Sequence, residues 1–95
     1  MPSSSNSHAD LDMRRRRALY RAWHRGMREM DLVLGSFCDS HLHDLSEGDL
    51  AELERLIEVP DQSLYLWVTD PSQTPQDYRS SLFDAICRHR MPKRR

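Results

Sequence analysis

The chain has 95 residues, enough for one small domain. A chain of that size buries only about 60–65% of the surface its unfolded state exposes, which leaves room for one core and little for an enclosed active site. Charged residues make up 31% and hydrophobic ones 38%, and the net charge is −1; no stretch approaches the roughly 18 consecutive apolar residues that read as a membrane span.

Residues 1–11 are polar and Ser-rich at the start and are predicted as a disordered tail. A mitochondrial presequence is arginine-rich and poor in acids, whereas Asp10 and Asp12 interrupt this one. A cytoplasmic, bacterial-type location is therefore expected, with the mitochondrial matrix as the less favoured alternative. Asp10 or Asp12 is predicted to cap a first helix whose apolar face carries Leu19, Ala22 and Trp23. This helix opens on the basic run Arg14 to Arg17. After Gly26 a second helix carries Met30, Val33, Leu34, Phe37, Cys38, His41 and Leu42 at helical spacing, and it stops near His43-Asp44. Ser46 opens a third, with Asp49 at the reciprocal capping-box position and Leu45 and Leu50 placed as a hydrophobic staple. Its core face is Leu50, Leu53, Leu56 and Ile57. Asp61 is predicted to cap a fourth helix bearing Leu64, Tyr65, Trp67 and Val68, and Asp70 to Gln73 form a loop. Thr74-Pro75 then gives a cap followed by proline at the first helical position, with Asp77 three residues after the cap. That last helix is expected to bury Tyr78, Leu82, Phe83, Ala85 and Ile86 and to end at Met91-Pro92. The fold class is all-α: a compact single-domain bundle of about five short helices over residues 12–90, followed by a basic tail over 91–95.

Chemistry-bearing groups are sparse. Cys38 and Cys87 form no CxxC pattern and are expected as buried free thiols. Cys38, His41 and His43 have metal-ligand chemistry, but a structural zinc site takes four ligands in two separated pairs, and the second pair is missing. No nucleophile elbow, phosphate loop or metalloprotease motif occurs. Glu54 and Glu58, four apart, read as the solvated face of an acidic helix. No catalytic, cofactor or metal residues are assigned, and an enzyme is not expected. The Arg14 to Arg17 run supports a rival reading, a small helical nucleic-acid-binding or regulatory protein. Against it stand the slightly negative overall charge and the acidic middle of the chain, so no nucleic acid is expected.

The segment Arg25-Gly26-Met27-Arg28-Glu29 stands out. A glycine inside a helical stretch costs about 1 kcal/mol against alanine, so it marks a break or a close approach by another backbone. Arg25 and Glu29, four apart, are neighbours on one face if the helical path continues. Leu32 lies off the core stripe on the side of Glu29, and Gly26 and Gly35 are read as low spots beside it. Apolar contact next to charged groups is typical of protein interfaces.

This segment resembles the RGxxE signature of the succinate dehydrogenase FAD assembly factors, the SdhE family. Leu32-Val33-Leu34 and Phe37 follow at the spacing that family shows, and Leu56-Ile57-Glu58-Val59-Pro60-Asp61 through Trp67 is similar to its second signature. The resemblance spans roughly Arg17 to His89 and implies a five-helix fold that is not an enzyme. It implies binding to the flavoprotein subunit of succinate dehydrogenase, and of the related fumarate reductase, with promotion of covalent FAD attachment to a histidine there. It also carries Arg25, Gly26 and Glu29 onto the partner-binding motif; Asp31 and Leu32 are added as flanking candidates. FAD is then the partner's cargo and not a cofactor of this chain, and a monomer without membrane insertion is expected. The family has an antitoxin-like role as well, on which no residue here bears.

Overall fold

The computed structural model describes residues 11–90. The tails expected over 1–11 and 91–95, the Asp10 cap and the Met91-Pro92 stop lie outside the described residues, apart from Leu11, which packs into the core. Helix α1 spans Met13–Trp23. Asp12 caps it: its carboxylate accepts the main-chain N–H of Arg15 at 2.8 Å, satisfying one of the orphan donors of the first turn. The spacing of Ala18, Leu19 and Ala22 turns that side of α1 inward.

Helix α2, Arg28–His41, buries Met30, Leu34, Gly35, Phe37 and Cys38, and Leu42 follows in a 3-10 turn, Leu42–Asp44. His41, placed on the core stripe by its spacing, is exposed; its ring leans on Phe37 at 4.8 Å and meets His89 edge-on at 5.5 Å. The α1–α2 contact is set by size. Trp23 lies flat over Gly35, where a Cβ would come within 2.2 Å of the indole. The glycine read as a low spot for a partner is therefore already covered from within.

Helix α3, Glu47–Ile57, starts as expected, with Ser46 Oγ accepting from the Asp49 N–H at 3.1 Å, and buries Leu50, Leu53, Leu56 and Ile57. Helix α4, Asp61–Thr69, buries Leu64, Trp67 and Val68, with Tyr65 half-buried. Its cap position is Pro60, not Asp61, which falls in the first turn with its carboxylate bound to Arg25.

Helix α5 is Ser81–Arg90, so the start predicted at Thr74-Pro75 falls six residues too early. Tyr78 is held off the α5 path, in a 3-10 turn, Gln76–Tyr78: its ring lies 5.1 Å from that of Trp67 and under the Arg55 guanidinium at 4.4 Å. Arg55 also donates to the Asp77 carbonyl at 3.1 Å. The segment therefore makes short 3-10 turns, and Ser80 becomes the cap, its Oγ accepting from Phe83 N–H at 3.0 Å. Leu82, Phe83 and Ile86 complete the core. Among the described residues there is no strand, and no helix is long and apolar enough to cross a membrane.

Candidate functional site

The path between α1 and α2 is a turn, His24 to Met27, and Gly26 makes it possible. Its φ of +108° lies where side-chain-bearing residues are strained and glycine is not. The helical path does not continue through it, so Arg25 and Glu29 are not paired along one helix face. The first turn of α2 is fastened back instead: the Asp31 carboxylate accepts the Arg25 main-chain N–H at 2.7 Å, and the Asp31 N–H donates to the Met27 carbonyl at 2.9 Å. Asp31, proposed from sequence as a flanking contact, ties the turn together.

The Arg25 side chain is 6% exposed. Its Nε donates to Asp61, Nη1 to the Ile57 carbonyl at 2.7 Å, and Nη2 to the Val59 carbonyl. A planar guanidinium offers several donors in a fixed fork, and here three of them reach acceptors on the one short segment that joins α3 to α4. Asp61 is itself only 20% exposed. Removing one member of a buried ion pair costs about 3–5 kcal/mol, because it leaves the other charge uncompensated.

What faces outward is Gly26, Arg28, Glu29 and Leu32, the last 47% exposed. A Cβ built on Gly26 meets nothing within 4 Å, so this stretch of backbone is open to close approach. Beside it runs a groove of about 310 Å³ between the end of α1 and the α3–α4 turn, its lining including Tyr20, His24, Arg25, Pro60 and Asp61. Tyr20 and His24 stack at 4.0 Å. The His24 Nδ1 lies 2.7 Å from the Tyr20 carbonyl; a carbonyl only accepts, so Nδ1 carries the proton and Nε2 is the acceptor of the neutral ring. Sequence reasoning missed Asp61, His24 and Tyr20 as members of this region. The i, i+4 spacing of Tyr20 and His24 is the one signal that could have placed these two together.

The other sequence candidates are dispersed. Cys38 is buried, and burial with the Asp39 charge pushes its thiol up to about 12; among the described residues no group of three His, Cys, Asp or Glu side chains is placed to hold a metal ion. The arginine run does not form one stripe. Arg14 binds Glu54 through Nε at 2.9 Å and Nη2 at 2.7 Å, and Glu47 through Nη1 at 2.7 Å. Arg15 donates to the Leu42 and Leu45 carbonyls at 3.1 and 2.5 Å, and Arg16 to the Leu11 carbonyl at 3.1 Å. Further along α1, Arg21 pairs with Glu58 at 2.6 Å. The Glu54–Glu58 face, read as simply solvated, is an ion-paired seam against α1.

Residues 16–90 match a protein family described as flavinator of succinate dehydrogenase. A succinate dehydrogenase assembly factor 2, mitochondrial, from Danio rerio is 37% identical over 78 residues, covering 80% of this chain and 49% of that protein. The corresponding protein of Dictyostelium discoideum is 28% identical over 85 residues, 90% of this chain and 60% of its own length. Assembly factor 2-A of Drosophila yakuba, also mitochondrial by name, is 35% identical over 81 residues, 83% and 50%. The chain thus spans about half to three-fifths of these relatives. No solved structure matches significantly. The relatives' mitochondrial names overturn the expected cytoplasmic location. That expectation came from acidic residues at positions 10 and 12, upstream of the region that matches the family.

Proposed function

The chain belongs to the family of succinate dehydrogenase flavinators, and we propose that it is a non-catalytic assembly factor that binds the flavoprotein subunit and promotes covalent attachment of FAD. The client would be succinate dehydrogenase, as in the relatives' names, and the related fumarate reductase is a second candidate. The observation that carries this reading is the open backbone at Gly26, flanked by exposed Glu29 and Leu32. An accessible main-chain turn between charged and apolar side chains suits docking to a protein surface.

Attaching a flavin to a histidine side chain requires the flavin carbon and the imidazole nitrogen to be in near-attack geometry. An assembly factor favours that arrangement by binding the client conformation that contains it more tightly than the others. Gly26 admits the partner's backbone, Glu29 fixes register through its charge, and Leu32 supplies apolar contact. FAD is the client's cargo in this scheme. Arg14, Arg15 and Arg16 spend donors on internal acceptors, which weighs against the nucleic-acid alternative.

Covalent flavin fluorescence of the flavoprotein subunit on a denaturing gel tests the proposal. With the wild-type protein present the band is expected to fluoresce; with the protein omitted or carrying Gly26→Arg the signal should fall to background. Equal fluorescence in the three lanes would remove the flavinylation role.

A further inference from the structure

The motif residue that the resemblance assigns to partner contact, Arg25, points the wrong way for it. We infer that Arg25 is a positioning residue: with Asp61 and Asp31 it fixes the Gly26 turn against the α3–α4 turn, and the partner meets the turn, not the guanidinium. The inference rests on the turn being the partner-binding surface, and it assigns that surface two carboxylates outside the RGxxE signature.

Three observations combine. The side chain is 6% exposed and its Nε, Nη1 and Nη2 all donate within the molecule, to acceptors 32 to 36 positions away. Its main-chain N–H is tied forward to Asp31 on α2. The residue before Gly26 is therefore pinned through both main chain and side chain, while Gly26, exposed and at a φ of +108°, has open space where a Cβ would stand. A glycine loses more conformational freedom on ordering than any other residue. Fixing its neighbour in the free protein means less ordering is left for the binding step. Turning the guanidinium outward to a partner would strip the Ile57 and Val59 carbonyls of their donor and leave Asp61 without its counter-charge. Because Asp61 neutralises Arg25 internally, the outward charge of the turn is set by Arg28 and Glu29.

The variants that test this are Arg25→Lys, whose single ammonium cannot serve three acceptors in a fork, and Asp61→Ala. Two readouts are needed: hydrogen exchange at the amides of residues 24–29 against the core amides of α3, and association with the succinate dehydrogenase flavoprotein subunit well below the melting temperature. Both variants are expected to raise exchange in the turn about tenfold more than in α3. Association should weaken by a similar factor in each, and the double variant should bind no more weakly than either single one, as members of one network do. Wild-type exchange and association in Asp61→Ala, with association lost in Arg25→Lys, would show that Arg25 touches the partner and overturn the inference. So would a uniform rise in exchange across turn and core, the mark of a general contribution to stability. A wild-type protein that does not bind the flavoprotein subunit would sink the functional reading alone, since exchange still decides the latch.

Discussion

At Gly26 the backbone and the surrounding space make separate demands, and two substitutions tell them apart. Any L-residue at a φ of +108° is strained, by about 1–3 kcal/mol, but no neighbour stands within 4 Å of an added Cβ. Gly26→Ala and Gly26→Arg are therefore expected to lower unfolding free energy by similar amounts in urea titrations. Only the arginine should abolish association with the flavoprotein subunit. If alanine abolishes it as completely, glycine acts through the shape of the turn and not by admitting a partner. The glycine itself was legible in the sequence, because a helix-breaking residue in a periodic stretch is a local signal. The orientation of Arg25 was not. Its acceptors are two main-chain carbonyls and a carboxylate more than thirty residues away, and carbonyls leave no trace in residue identity.

Among the elements, the α1–α2 pair shows what helical periodicity does and does not reveal. The buried faces of α2 and α3 follow the spacing of their apolar residues almost position by position, since the position of an apolar stripe is set by the helix's own sequence. Which neighbour fills a gap is not. Gly35 seemed a hollow on the partner's side, yet Trp23 occupies the space above it. Gly35→Ala should gain about 1 kcal/mol of helix propensity. That gain is outweighed, because a Cβ 2.2 Å from a rigid indole must displace the ring, and overpacking of this kind costs about 1–3 kcal/mol and occasionally more. The expected outcome is a lower melting temperature together with a shift in Trp23 emission; a raised melting temperature would show that the indole moves freely. The start of α5 failed for a related reason. Thr74-Pro75 is a sound local signal, but contacts of Tyr78 with Trp67 and Arg55 override it.

Over the whole molecule, segregated charge proves to be complementary charge. The basic first helix lies along the acidic third one, with Arg14 bound to Glu54 and Glu47 and Arg21 to Glu58. The blocks were visible in the sequence; that they face each other follows only from the packing of α1 beside α3. Hydrogen bonding from Arg14, with the charges of Arg14, Arg17 and Arg21, holds the Glu54 carboxyl below its usual value. A carboxyl depressed in the folded state stabilises the protein above its unfolded pKa, and this contribution is lost as pH falls through the folded value. Stability should therefore decline below about pH 4.5, and Glu54→Gln should flatten that decline in urea midpoints measured against pH. The change will be small, because both side chains are more than a third exposed and solvent screens them. Identical acid profiles for variant and wild type would remove the seam as a source of stability.

The latch has a consequence for mutational tolerance. Two of the three acceptors gripped by the Arg25 side chain are carbonyl oxygens, which every amino acid supplies. Positions 57 and 59 are thus free to drift among apolar residues of suitable volume without loosening the joint, whereas position 25 has no substitute with the same fork. The coupling between the two halves of the molecule is thus encoded in two side chains, Arg25 and Asp61. Swapping the α3–α4 segment between relatives would transplant the socket intact, provided the chain follows the same path and keeps an acidic residue at the position of Asp61.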